Sequence, residues 1–135
     1  MIVVDTNVLA YNVLPGPQSV AARAVASRDP AWVAPRIWRM EFRNVLATVM
    51  RTRAVSLGEA LTAFTDAEAM VRDTGELVTT EHCLEVAARA GISACDAEFV
   101  ATAEALGVRL VTADRRLVRA CPERAISLER FVAGD

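Results

Sequence analysis

Apolar positions along the chain follow two periods, and they alternate. Ile2-Val3-Val4, Ala31 to Ala34, Glu76 to Thr79, Val108 to Thr112 and Ala125 to Ser127 are short runs suited to strands. Between them lie longer stretches with apolar residues at i, i+3, i+4 and i+7. A short helix is expected near Val8 to Tyr11, and a second runs from about Ser19 to Ser27, ended by Asp29-Pro30. A third opens near Arg36 behind Pro35 and continues to about Arg53. Ser56-Leu57-Gly58-Glu59 is a capping box, and its helix runs towards Gly75 with Leu57, Ala60, Leu61, Phe64 and Val71 on one face. These two consecutive helices suit a hairpin that walls a groove or forms a dimer. Helices from Glu81 to Ala90 and from Asp96 to Leu106 follow, then a short one after Asp114 and a C-terminal turn. Strand and helix in alternation predict an α/β protein.

Four acids break this pattern. Asp5 closes the first apolar run and Asp114 follows Leu110-Val111-Thr112, so both belong at strand tips, where open α/β sheets place their ligand sites. Glu41 takes a core-facing step in the stripe Ile37, Trp38, Glu41, Phe42, Val45, Leu46, Val49, where a bare carboxylate is costly. Asp96 heads a stripe continued by Phe99, Val100 and Ala103. Each has a plain alternative except Glu41: Asp5 and Asp114 suit helix N-caps, and Ser93-x-x-Asp96 resembles a capping box with a shortened acid. One cluster accounts for four oddities more economically than four separate explanations. Gathered carboxylates repel unless a divalent cation neutralises them, and all-oxygen ligation favours Mg²⁺ or Mn²⁺.

Composition narrows the chemistry. At 135 residues, 53% hydrophobic and only 5% aromatic, the chain has material for one domain, residues 1–135, with a real core. All 15 basic residues are arginines, so lysine-dependent chemistry is excluded, and with it the phosphate loop ending in Gly-Lys. Receiver domains and haloacid-dehalogenase-like phosphatases pair strand-tip aspartates with a lysine and are disfavoured for the same reason. A net charge of -2 gives no global basic signature, so any nucleic-acid contact must be local. The three cysteines, Cys83, Cys95 and Cys121, lack metal-ligand spacing and are expected as reduced core residues. The single histidine, His82, is expected to be an exposed helix residue. Asp5 and Asn7 interrupt the N-terminal apolar stretch, which fits neither a signal peptide nor a membrane span; a cytoplasmic protein is expected.

Taken in order, Asp5-Thr6-Asn7-Val8-Leu9, Trp38-Arg39-Met40-Glu41-Phe42-Arg43-Asn44-Val45-Leu46, Asp96-Ala97-Glu98-Phe99-Val100-Ala101-Thr102-Ala103 and Thr112-Ala113-Asp114-Arg115-Arg116-Leu117 resemble the PIN-domain nucleases, especially the small VapC-type toxins. The resemblance spans essentially the whole chain. It implies a three-layer α/β/α sandwich with a central, mostly parallel sheet, an Mg²⁺- or Mn²⁺-dependent endoribonuclease with Asp5, Glu41, Asp96 and Asp114 as catalytic metal ligands, a homodimer, and inhibition by a cognate VapB-like antitoxin. It also implies that Asn7 and Thr112 support the acids, although both equally suit ordinary turn and strand-end roles. Some relatives carry a further acid just after the Asp114 position, where Arg116 and Leu117 stand here, which leaves the number of metals open. Arg39, Arg43, Arg115 and Arg116 are candidates for the RNA backbone, or for solvated helix faces. An RNA-processing or DNA-cleaving nuclease without antitoxin would share every one of these residues. A non-catalytic dimeric binding module is the other alternative, and it has no need of an intact acid set.

Overall fold

A computed structural model describes all residues, Met1–Asp135. Five strands, β1 (Ile2–Val4), β2 (Trp32–Ala34), β3 (Val71–Asp73), β4 (Leu110–Val111) and β5 (Ala125–Ile126), form one sheet in the order β3-β2-β1-β4-β5. Every pairing is parallel, with Val3 opposite Val33 on one side and Leu110 on the other. Seven helices lie in the crossovers, α1 (Thr6–Val13), α2 (Ser19–Arg28), α3 (Trp38–Thr52), α4 (Leu57–Met70), α5 (Thr80–Ala90), α6 (Ala94–Leu106) and α7 (Arg115–Ala120), and α8 (Leu128–Ala133) follows the last strand. Right-handed crossovers put α1 to α4 on one face of the sheet and α5 and α6 on the other, giving the expected three layers. No helix is long and apolar enough to cross a membrane.

Strand order reverses beside β1. The chain moves outward through β2 and β3, then returns past β1 to β4, so the carboxyl ends of β1 and β4 flank a topological switch point. Strands β1, β2 and β4 are buried at every position, which is why their sequence is continuously apolar rather than alternating.

Several elements differ from expectation. The third strand is Val71–Asp73, not Glu76 to Thr79, because α4 stops at Met70 and the chain pairs at once with Trp32–Ala34. No glycine or proline marks that boundary; the sheet edge imposes it. Residues 76–79 instead follow a turn in which Gly75 takes φ +63. The buried face of α4 is Ala60, Ala63 and Ala67, small residues that let the helix approach closely, while Leu57 and Leu61 face solvent. The C-terminal turn is a helix, α8, capped by Ser127. Cys83 and Cys121 are buried but Cys95 is exposed. His82 is half-buried rather than exposed, 2.8 Å from Glu104, which also pairs with Arg89. Burial works against the Glu104 carboxylate, but hydrogen bonds with His82 and Arg89 more than offset it and hold its pKa below the usual range. This triad clasps α5 to α6.

Helix α3 is fixed by aromatics. Trp38 and Phe42, one turn apart and both fully buried, meet Phe64 of α4, with ring centroids 5.5 Å apart for Trp38–Phe64 and 5.8 Å for Phe42–Phe64. Arg39 closes the seam by pairing with Glu68 at 2.7 Å and Asp73 at 3.4 Å. Replacing Phe42 with alanine should therefore cost about 3–5 kcal/mol of unfolding free energy in urea titrations. A loss below roughly 1 kcal/mol would show that the α3–α4 seam is not what holds α3 in place.

A candidate acid site at the strand tips

Asp5 is the residue from which the site is built. It leaves β1 in extended conformation and caps α1, its Oδ1 accepting from the Thr6 amide at 2.8 Å. Its Oδ2 accepts from the Thr112 hydroxyl at 2.7 Å. Thr112, fully buried just beyond β4, also accepts from the Asp114 amide at 3.0 Å, so one hydroxyl joins the ends of β1 and β4. On the other side, the Thr6 hydroxyl donates to Glu41 Oε1 at 2.7 Å. Hydrogen bonds thus run from Glu41 through Thr6, Asp5 and Thr112 to Asp114, across residues up to 109 positions apart in sequence on the strand pair beside the switch point.

Asp96 joins this line by charge and by shape. It stands in the first turn of α6, its amide capped by the Ser93 hydroxyl at 3.1 Å without the reciprocal bond of a capping box, so its carboxylate is not spent on the helix end. With Asp114, Ser93 and Arg116 it lines a cavity of about 390 Å³. Asp114 caps α7 through Oδ1, which accepts from the Arg116 and Leu117 amides. Glu41 lies at the margin of the buried stripe of α3, half-buried, rather than within the core. Asn7 touches none of the four acids; its Oδ1 accepts from the Ala113 amide at 3.4 Å and so steadies the loop that carries Asp114.

Electrostatics tie three of the acids together. Burial pushes the pKa of Asp5 up to about 6; hydrogen bonds from Thr112 and Thr6 restrain the rise, and the charges of Glu41 and Asp96 add to it. Glu41 is also raised, by burial first and by Asp96, against the bond from Thr6. Neither Asp5, Glu41 nor Asp96 has an ion-pair partner, and Asp114 has only the distant Arg116, at 4.0 Å. Such a donor set, all oxygen and uncompensated by protein cations, suits a hard divalent ion by its chemistry. Its geometry is looser: no three acid, histidine or cysteine side chains close on one point as ion ligands. Two threonine hydroxyls each engage one carboxylate instead, Thr6 that of Glu41 and Thr112 that of Asp5.

The sequence reading singled out all four acids and Thr112. It missed Thr6, whose backbone amide donates to Asp5 and whose hydroxyl donates to Glu41; its only signal is its position directly after Asp5. Of the arginines, Arg39 is already paired with two acids, while Arg43, Arg115 and Arg116 are exposed.

The family model for the PIN domain matches residues 2–121. The chain belongs to the PIN-domain family. Among solved structures, PAE2754 from Pyrobaculum aerophilum is similar at a TM-score of 0.77 with 19% identity, over 98% of this chain and 86% of that one. The FitAB complex bound to an IR36 DNA fragment contains a chain similar at a TM-score of 0.63 with 21% identity, over 95% of each chain. At those identities the likeness is one of fold. No curated protein matches. PIN domains are in general metal-dependent nucleases.

The raised pKa of Asp5 makes a prediction about stability. Folded protein holds a proton on Asp5 between pH 3.8 and about 6 that the unfolded chain has released. Its contribution is therefore undiminished below pH 3.8 and is lost as pH rises through that window, by up to about 3 kcal/mol in metal-free protein. Asp5→Asn removes the titration. The stability of Asp5→Asn relative to the native chain, measured by urea unfolding in chelator, should climb between pH 4 and pH 7 and then level. A difference that is flat with pH would mean that Asp5 is not the strained acid.

Proposed function

We propose that this PIN domain is an Mg²⁺- or Mn²⁺-dependent endoribonuclease of the VapC type, the toxin of a toxin–antitoxin pair. The observation that carries the reading is the line of hydrogen bonds from Glu41 through Asp5 to Asp114, with Asp96 coupled to it by charge, at the carboxyl ends of the strands, where open α/β sheets bind ligands. Asp5, Glu41, Asp96 and Asp114 would hold the ion. Bound there, it supplies a water of lowered pKa and stabilises charge on the phosphoryl oxygens. Thr112 orients Asp5, Thr6 orients both Asp5 and Glu41, and Asn7 steadies the Asp114 loop. Arg43, Arg115 and Arg116, exposed on the two helices beside the acids, take the RNA backbone; Arg39 enters that surface already paired and acts chiefly through the α3–α4 seam.

Regulation follows from the charge of the same pocket. A VapB-like antitoxin offering an arginine would neutralise the acids in place of the metal, with its apolar residues lying along the α3–α4 hairpin, whose Met40, Leu57 and Leu61 are exposed. A homodimer acting in the cytoplasm completes the proposal. Growth arrest on expression of the chain alone, relieved by the product of a neighbouring small reading frame, is the expected result. If neither arrest nor a co-purifying partner is seen, the toxin role is withdrawn and the nuclease retained.

Catalysis is tested separately. Purified protein should cleave single-stranded RNA with Mg²⁺ or Mn²⁺ and lose the activity in chelator. Asp5→Asn and Asp96→Asn should each lower the rate by at least roughly a hundredfold while melting no earlier than the native protein without metal. Undiminished cleavage by both variants would remove these acids from the chemistry. Cleavage of single-stranded DNA at a comparable rate would replace the ribonuclease by a general nuclease.

A further inference from the structure

A second cavity, of about 500 Å³, opens between the first turns of α3, the turn after β3 and α6. Helix α6 serves both: Asp96 lines the smaller cavity and Glu98, two positions on and so turned to the other side of the helix, lines the larger. Arg36 enters it from the turn after β2, Met40 and Arg43 from α3 on either side of Glu41, and Glu76 from the turn after β3. Its volume lies within the range of roughly 300–1,000 Å³ usual for small-molecule sites.

Charge in this cavity is unevenly spent. Arg39 is committed to Glu68 and Asp73. Arg36 stands 3.6 Å from Glu76, with side chains 63% and 88% exposed, a pairing that water largely cancels. Arg43 has no carboxylate partner, and its guanidinium lies 5.6 Å from the centre of the Phe64 ring. Glu98 is half-buried and makes no ion pair although three arginines line the same cavity; its one polar side-chain partner is the Cys83 thiol, a weak donor, whose pKa is pushed up by burial first and then by the charge and hydrogen bond of Glu98. Two available cations and a carboxylate engaged only by a thiol therefore line one space.

We propose that this cavity is a nucleotide subsite selective for guanine. Arg36 and Arg43 hold a phosphate, Met40 lies against the base, and the Glu98 carboxylate accepts from its edge. An ionised carboxylate only accepts. Guanine presents N1–H and the N2 amino group side by side and can satisfy both oxygens, whereas adenine turns its N1 lone pair towards them. Cytosine and uracil offer a single donor position each. The role of the subsite in choosing the cleaved bond rests on the nuclease reading above; binding of the nucleotide does not.

The test uses mononucleotides, which need no turnover. Native protein in chelator is titrated with guanosine 5′-monophosphate and with adenosine 5′-monophosphate and followed by NMR of the backbone amides and arginine Nε–H groups. Guanosine monophosphate should shift the signals of Arg36, Met40, Arg43 and Glu98 and bind roughly tenfold more tightly than the adenine nucleotide. Glu98→Gln should bring the two within about twofold, and Arg43→Ala should weaken both alike. Should Glu98→Gln fail to fold, Glu98→Asp keeps the paired acceptors on a shorter arm and should weaken the guanine nucleotide alone. Equal binding of both nucleotides by native protein, shifts confined to other surfaces, or a guanine preference that survives Glu98→Gln would each overturn the proposal. RNA cleaved without regard to guanine, with no nucleotide preference, leaves the nuclease standing and removes the subsite. A guanine preference in a protein that cleaves no RNA does the reverse.

Discussion

The carboxylate of Asp5 is the constraint on which the rest of the structure depends. It sits at the tip of the central strand, nearly excluded from water, and burial alone would discharge it. Two hydrogen bonds keep it within reach of ionisation at neutral pH, one from the start of α1 and one from the end of β4. Because those donors belong to its own crossover helix and to the neighbouring strand across the switch point, satisfying Asp5 aligns both with β1. The fold and the site therefore share their bonds.

Glu41 is placed by a different kind of force. It approaches Asp5 only because α3 is anchored by Trp38 and Phe42 against Phe64 and clasped by Arg39 between Glu68 and Asp73. Apolar packing sets the rotation of the helix, and the acid is carried along at the margin of the packed face, where it meets the Thr6 hydroxyl. A buried aromatic seam is stiff and tolerates little change of volume. It is a suitable mount for a group whose charge the site repels.

The sequence revealed the parts of this arrangement that periodicity encodes. The all-apolar runs gave β1, β2 and β4, the Ser56–Glu59 box gave the start of α4, and the four acids stood out because each interrupted a pattern or ended one. It concealed what only pairing decides. Val71–Asp73 is a strand because β2 needs a partner there, and neither composition nor a helix stop signals it. The face of α4 was misread because Leu57 and Leu61 outrank alanine on any hydrophobic scale, whereas the face buried in the packed layer is Ala60, Ala63 and Ala67. Thr6 was overlooked since a hydroxyl beside an acid has no pattern of its own. The partners of His82 and Arg39 lie 22 or more residues away and were invisible for the same reason.

Helix capping accounts for Asp5 and Asp114 in the structure, and it does not compete with ligand binding. A carboxylate has two oxygens with about four lone-pair positions, so one oxygen can close a helix end while capacity remains for a second partner. Asp114 spends Oδ1 on the Arg116 and Leu117 amides, and its other oxygen accepts no hydrogen bond within the chain. Capping also fixes the rotamer, and the helix N-terminus it faces stabilises the charge. An acid so held is ordered before any ligand arrives, without the entropy loss that a free side chain would suffer on binding. In this fold the caps at the strand tips therefore prepare the site as well as end the helices.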